Sequence, residues 1–598
     1  MYGPRSRGEG ACAGQHLECC FLQCYASRVQ TRPARAARPH PNRRPRIHRP
    51  AARTLALLGA ALAGGAGLAC RAAPAARPDV AAAAPEWTRG AVCYEIFVRS
   101  FHDSDGDGVG DLKGLIAKLD YVNDGSPATR TDLGARCIWL MPVAESPSYH
   151  GYDVADYYAV DREYGTNEDF RRLVAEAHRR GIRVLVDMVL NHASSEHPAF
   201  RAALADPASP YRAWFRWSPT HPGERNPWGG DNWHRSPLRD EYYYAFFWQG
   251  MPDLNYSTPA VRDEAKRIAT FWLTEMGADG FRLDAVPFLV EEGGKVQHAP
   301  GTHAVLREYA AHVRRAAPGA FTIGEVWDST GAMLPYYPDQ LDAYFAFELS
   351  DAILGAVRAG SARALLPGYL RLQQALPAHR WAPFLRNHDQ TRTLTALGGD
   401  LSRARLAATL LLTLPGLPFV YYGEEIGMSG DKPDERLRTP MQWSADPGAG
   451  FTRGTPWQPL QADWRATNVA AQERDSTSLL ALYRRLIHLR AEHASLAAGT
   501  LVPLAASHDA VVAYLRREGR RTVLVVANLG AAPLAGVALE SAAGALPAGR
   551  WTTRALLGGA PPAAPLSVGA DGRIRRYVPL PELAPLESHV LELSTTTP

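Results

Sequence analysis

Between about residues 85 and 496 two patterns alternate. Stretches with apolar residues on one helical face end at Gly or Pro, and a short, continuously apolar run follows each. In "EDFRRLVAEAHRR", Phe170, Leu173, Val174 and Ala177 fall on one helical face. Gly181 stops that helix, and "IRVLVDMVLNH" follows as a strand. In "STPAVRDEAKRIATFWLTEMG", Thr258 is placed to cap a helix that Pro259 starts and Gly277 ends; "ADGFRLDAV" comes next. "HAVLREYAAHVRRAAPG" leads to "AFTIGEVW", and "LSRARLAATLLLTLPG" leads to "LPFVYYGEE". With "AVCYEIFVRSF", "ARCIWLMPV", "LDAYFAFEL" and "WAPFLRNHD" the strands number eight. Continuously apolar strands alternating with helices imply a parallel sheet covered on both faces, and eight such units imply an α/β fold of the (β/α)8 barrel type. In that fold, reactive groups project from the C-terminal ends of the strands.

Two departures from the alternation divide the chain. Residues 193–255 are far longer than an ordinary connection and rich in aromatics ("YRAWFRWSP", "NPWGGDNWHRS", "YYYAFFWQGMPDLN"). They read as an insertion subdomain beside the barrel mouth. From residue 497 the helices stop, and "AVVAYLRREGRRTVLVVANLG" and "ESHVLELS" read as antiparallel strands, a C-terminal β-sandwich over 497–598. The barrel is then expected over 85–192 and 256–496.

Charge changes the picture mainly at the N-terminus. The formal net charge is +4, but residues 1–84 hold 13 Arg, no Lys and three acids. The rest carries 52 basic against 58 acidic residues, a mildly acidic body without a nucleic-acid-binding footprint. "RRPRIHRPAAR" precedes "TLALLGAALAGGAGLAC" at 54–70, a basic region, an apolar run and small residues, the layout of a secretory signal. The run is short and Gly-rich for a membrane span. It ends at Cys70, as in a bacterial lipoprotein cleavage site, although Gly67 stands where a branched apolar residue is usual. The protein is therefore expected outside the cytoplasm, secreted, periplasmic or at the cell surface, with a lipid anchor at Cys70 as one form. Residues 1–42, with four of the seven cysteines, read as an extension or an over-early start. Cys93 and Cys137 lie in predicted strands; buried thiols are the default, and a disulfide is open to an exported protein.

Polar residues gather where strands end. The third strand ends in Asp187, Asn191 and His192, and the fourth carries Arg282 and Asp284. The fifth ends in Glu325, the seventh in His388 and Asp389. Arg282 and Asp284, two apart in a strand, share a face. Alone they fit a structural ion pair as well as an active-site acid held ionised by its neighbour. Together the groups suggest a chemistry. Asp284 beside Arg282 should stay ionised, while a second carboxyl opposite keeps a proton to donate. Two carboxyls pushed apart in pKa are the apparatus of glycoside hydrolysis.

Six motifs, "HGYDVADYY", "DMVLNH", "MPDLN", "GFRLDAV", "GEVW" and "RNHD", in this order over roughly residues 86–595, resemble the α-amylase family of glycoside hydrolases. The resemblance implies a barrel with a third-loop subdomain and a β-sandwich. It implies Asp284 as nucleophile, Glu325 as general acid/base and Asp389 as the group that binds sugar hydroxyls and stabilises the transition state. Arg282 would orient Asp284, His192 and His388 would bond the sugar, Tyr152 would stack on it, and Asp153 and Asp187 would support the pocket.

"DSDGDGVGD" alternates Asp103, Asp105, Asp107, the Val109 carbonyl and Asp111. Oxygens at that spacing, with glycines for the tight turn, suit Ca²⁺, against a solvated acidic turn; members of the family resembling oligosaccharide-cleaving enzymes bind Ca²⁺ at such a loop. "YYGEEIGMSGDKPDERLRTPMQW" at 421–443 resembles the α-glucosidase-like and intermediate α-amylase branches and is expected to shape the sites beyond the cleavage point. Ala285 stands where enzymes resembling oligo-1,6-glucosidases usually carry Val; a small residue at this position accompanies α-1,4 preference. Pro287 and Phe288 replace the Lys and His of many α-amylases. The reading at this stage is a monomeric, exported hydrolase of α-1,4-linked starch-derived glucans. An α-glucosidase or a trehalose synthase-like isomerase on the same fold is the alternative; a non-catalytic binding protein would have lost its acids.

Overall fold

The computed structural model describes residues 84–559 and 565–595. The apolar run at 54–70 and Cys70 lie outside the described residues, so the export signal and lipid anchor are not visible in it. Eight parallel strands form the central sheet: β1 (Cys93–Ile96), β2 (Cys137–Leu140), β3 (Arg183–Met188), β4 (Gly280–Leu283), β5 (Phe321–Gly324), β6 (Ala343–Phe345), β7 (Trp381–Ala382) and β8 (Phe419–Tyr421). They pair in the order β7-β6-β5-β4-β3-β2-β1-β8. The barrel closes between β7 and β8, where the Leu417 N–H donates to the Trp381 carbonyl at 3.0 Å and the Phe419 N–H to the Pro383 carbonyl at 2.9 Å. Pro383 has no N–H to return, so β7 is only two residues long.

Alternation along each strand sorts two cores. Cys93, Cys137, Trp139, Leu185, Phe321, Ile323, Phe345 and Phe419 fill the barrel interior. Tyr94, Ile96, Ile138, Leu140, Val184, Val186, Phe281 and Leu283 face outward into the helix layer. Cys93 and Cys137 are register partners on β1 and β2. They form a disulfide, not the free thiols that burial alone suggests, because parallel pairing brings their Cα atoms to 4.5 Å.

The helix expected after Thr258 starts at Pro259 and runs to Thr270, then widens into a π-turn over Phe271–Glu275. Thr258 does not cap it; its hydroxyl donates to the Ala213 carbonyl at 2.6 Å, tying the helix start to the insertion. The insertion packs a helix, Pro198–Ala205, and a three-stranded sheet around Phe200, Phe215 and Tyr243. Its exit is stitched to the end of β3: Asp253 of "MPDLN" bridges His192, and the Leu254 N–H donates to the Asn191 carbonyl at 2.9 Å.

The C-terminal region is a seven-stranded antiparallel sheet built from β9 (Thr500–Ala506), β10 (Val511–Glu518), β11 (Arg521–Asn528), β12 (Leu539–Glu540), β13 (Gly549–Leu557), β14 (Leu566–Val568) and β15 (Ser588–Thr595). Their order is β12-β9-β10-β11-β15-β13-β14. A two-stranded ribbon, Leu534–Ala535 with Glu582–Leu583, and its flanking loops supply the facing layer. One face of the sheet (Val511, Ala513, Leu515, Leu524, Val526) closes this domain's own core. The other face (Val512, Tyr514, Val523, Val525) joins the core of the barrel's helix layer.

Candidate active site

Strand register builds the site. Asp187 on β3 is the Cα partner of Arg282 on β4, so both side chains enter the barrel at one level. Asp284 follows two residues beyond Arg282, and Glu325 follows Gly324, which pairs with Leu283. The groups expected at four strand ends thus meet at the C-terminal mouth.

Arg282 is their hub. It is buried, and one guanidinium reaches three carboxyls: Asp284 at 2.6 Å, Asp187 at 2.9 Å and Glu325 at 2.8 Å. Burial disfavours its charge, but the surrounding carboxylates more than restore it. Its planar fork can hold several carboxyls in fixed directions, which a lysine cannot. Burial, reinforced by the Asp284 and Asp389 charges and opposed by Arg282, pushes the Glu325 carboxyl up to about 7. Burial also drives Asp187 upward against Arg282, while Trp139 Nε1 and the Tyr152 hydroxyl donate to it at 3.2 and 3.0 Å.

The backbone is unusual at one point. Ala285 adopts the left-handed conformation, φ 45°, ψ 35°, costly for any side chain and worst for a β-branched one. That turn aims the Ala285 N–H at Glu325 Oε2, 3.0 Å away.

His388 forms a second hub on the opposite wall. It is fully buried; Nδ1 lies 2.5 Å from Glu95, and Nε2 lies 3.2 Å from Asp389 and 2.7 Å from the Tyr152 hydroxyl. Burial alone would lower its pKa, but Asp389 and Glu95 lift it to about 9. Asp389 is held far below the ordinary carboxylate range; burial opposes this, and His388 and Arg438 outweigh it. Arg438 donates to Asp389 at 2.8 Å and, through Nε, to the His388 carbonyl at 3.1 Å.

The remaining expected residues divide. Tyr152 stacks on His388 with ring centroids 5.6 Å apart and stays partly exposed. Asp153 lies outside the carboxylate cluster and accepts from Ser146 at 2.8 Å and from Ser148, holding the 146–152 turn. His192 is buried near the mouth, but its Nε2 donates to the Tyr152 carbonyl at 3.1 Å and Nδ1 faces Asn191. Phe247 of the insertion packs edge-on against it at 5.5 Å.

Four residues of the site were given no role from the sequence. Glu95 and Trp139 are single residues inside apolar runs. His150 lies beside the expected Tyr152 and stacks against it at 6.1 Å. Arg438 belongs to the 421–443 segment, which buttresses Asp389 directly rather than only shaping more distant sites.

In the acidic loop, oxygens of Asp103, Asp105 and Asp111 lie within 4.8 Å of one another. Asp103 is steadied by the Asp105, Gly106 and Gly108 N–H groups and by Thr452. Asp107 stands outside that group; one of its oxygens accepts from the Val109 N–H at 2.8 Å. Gly108 is required, since at φ +99° a Cβ would meet the Thr455 carbonyl at 1.9 Å.

Residues 95–499 match the model of the α-amylase catalytic domain. The chain belongs to the α-amylase family of glycoside hydrolases. It is 39% identical over 451 residues to Alpha-amylase 3 of Dictyoglomus thermophilum, covering 74% of this chain and 85% of that protein. It is 36% identical over 511 residues to the trehalose synthase/amylase TreS of Mycobacterium tuberculosis, covering 75% and 83%. Among solved structures it resembles the α-amylase from H. orenii, with TM-score 0.73, 39% identity, 85% of this chain and all of the other covered. As a member of this family the protein is an O-glycosyl hydrolase, with a barrel and a C-terminal antiparallel sheet like those of α-amylase structures.

Proposed function

We propose that the protein hydrolyses α-1,4-glucosidic bonds of starch-derived glucans and maltooligosaccharides with retention of configuration. The observation that carries this reading is the Arg282 fork, which touches Asp284 and Glu325 together. One guanidinium bonded to both carboxyls holds them close together, in keeping with the separation of about 5–5.5 Å of a covalent mechanism. In the first step Asp284 attacks the anomeric carbon while Glu325 gives its proton to the departing glycosidic oxygen. In the second, Glu325 takes a proton from water, and the hydroxide equivalent displaces Asp284 at the same carbon. Asp389, kept anionic by His388 and Arg438, accepts sugar hydroxyls and faces the positive charge that develops on the ring. The partly exposed ring of Tyr152 stacks on the sugar at the cleavage point.

The α-1,4 preference rests on Ala285, small and directly beside the nucleophile, and on the wall that Phe247 and Phe288 form next to His192. The test compares kcat/KM on maltotriose and isomaltotriose; equal or better cleavage of isomaltotriose contradicts it. Conversion of maltose to trehalose would support the isomerase reading, which uses the same carboxyls but returns the glucosyl group to released glucose.

The acidic loop fits Ca²⁺. Asp103 and Asp111 are buried, like-charged and converge with Asp105, while backbone donors fix the direction of their oxygens. Asp103, Asp105 and Asp111, whose oxygens converge, would hold the ion, which would supply charge neutralisation to a structural loop. Export from the cytoplasm is supported by the N-terminal pattern and the Cys93–Cys137 disulfide, a bond of oxidising compartments. The protein acts on its glucan as a monomer.

A further inference from the structure

We infer that Glu95, on the first strand, is a positioning residue of this active site: its carboxylate keeps His388 protonated on both ring nitrogens, and the cation in turn fixes the Asp389 carboxylate and the Tyr152 hydroxyl. The inference rests on the reading of Asp389 as a substrate-binding group. Glu95 enters the barrel interior two residues above Cys93, level with Trp139 and Tyr421. It is 1% exposed and cannot touch a sugar. Its Oε1 lies 2.5 Å from His388 Nδ1 and also faces the His388 backbone N–H at 3.4 Å.

The surroundings leave no substitute. The titratable and charged groups facing the His388 ring are Glu95, Tyr152, Asp187, Asp389, Arg438 and His150; behind them, Tyr421 faces Glu95, Lys432 faces Asp389 and Arg282 faces Asp187 and Tyr152. Asp187 is engaged by Arg282, Arg438 opposes a further positive charge, His150 is neutral because burial drives it down to about 3, and Tyr152 is neutral because burial pushes its hydroxyl up. Asp389 alone then faces Nε2. A buried imidazole with one carboxylate gives up its proton far more readily than one held between two. The direction of charge also orders a chain of hydrogen bonds. With Nε2 protonated, the Tyr152 hydroxyl accepts from His388 and donates to Asp187. With Nε2 bare, that hydroxyl is drawn back to His388, and Asp389 keeps Arg438 but loses its bond to the imidazole.

Two measurements test this. In protein with ¹⁵N-labelled histidine, the His388 signal, assigned by its loss in His388→Gln, should show both ring nitrogens protonated at pH 8. In Glu95→Gln it should show one, and Glu95→Asp should restore two. In parallel, log(kcat/KM) on maltotriose should fall with slope near −1 between pH 7 and 9 in the wild type, as Glu325 loses its proton, and steepen only above 9, where His388 follows. In Glu95→Gln the slope should approach −2, with kcat/KM at pH 8 down roughly ten- to hundred-fold, as when a group orienting a functional histidine is removed. A singly protonated wild-type His388 at pH 8 overturns the inference, whether or not Glu95→Gln folds. So does a Glu95→Gln enzyme with uniformly reduced activity and an unchanged pH profile, which would mark a merely structural role. A wild type inactive on maltotriose counts against the proposed substrate and leaves the histidine spectra to decide the role of Glu95.

Discussion

At the scale of single residues the site trades stability for reactivity. Glu325 titrates near 7 in the folded protein, above its ordinary 4.5. Between those values the native state holds a proton that the unfolded chain has lost, so stability falls as pH rises through this window, and the full cost is present above 7. Glu325→Gln should therefore raise stability by about 1–3 kcal/mol at pH 8 and leave it nearly unchanged at pH 4. Thermal melts at the two pH values check this; a pH-independent effect contradicts it. Ala285 carries a second cost, its left-handed backbone. Ala285→Val should lower stability by about 1–3 kcal/mol. It should also lower kcat more than it raises KM, because the Ala285 N–H steadies Glu325, and it should narrow the preference for maltotriose over isomaltotriose. An unchanged melting temperature would show that the turn tolerates a branched side chain.

Single elements show what could be read from sequence and what could not. Asp187, Arg282, Asp284, Glu325, His388 and Asp389 were legible because polar residues closing apolar strands have few structural uses, and strand order alone brings them together. Glu95 was not, because one carboxylate in "CYEIF" has no local meaning; its partner lies 293 residues on. Arg438 hides in an aperiodic segment 49 residues beyond Asp389. All eight barrel strands announce themselves as apolar runs, but the length of β7 does not: Pro383 cuts it to two residues. Helix ends were legible only in part. The helix Leu401–Thr413 is closed by two buried arginines from later in the chain: Arg490 donates to the Leu412 and Leu414 carbonyls, and Arg516 to that of Thr413. Neither has a carboxylate partner among the described contacts; the negative helix end serves instead. The acidic loop yields a prediction of its own. Chelation by EDTA should lower the melting temperature of the wild type, since Asp103, Asp105 and Asp111 would then face one another uncompensated, and barely affect Asp105→Ala. An unchanged wild-type melting curve counts against the ion.

At the scale of the molecule the barrel and the C-terminal sheet share a core. Val512, Tyr514, Val523 and Val525 belong to the same apolar cluster as the barrel's helix layer, and the Tyr514 hydroxyl lies 2.6 Å from that of Thr413. A chain ending at residue 499 would expose this face, so it should aggregate or melt well below the full chain, which should unfold in one calorimetric transition. Separate transitions would show that the two regions are thermodynamically independent. The insertion is stitched to the end of β3, so the wall beside His192 moves with the carboxyl cluster rather than as a free lid. Everything converges on Asp284 and Glu325 acting on opposite sides of one bond, and that claim can be tested without knowing the natural glucan. Glu325→Gln, supplied with α-maltosyl fluoride, whose leaving group needs no acid, should stall after the first step because no base remains to activate water. Mass spectrometry of peptides should then find a maltosyl unit esterified to Asp284. An unmodified Asp284, or a maltosyl unit on another residue, would contradict the account.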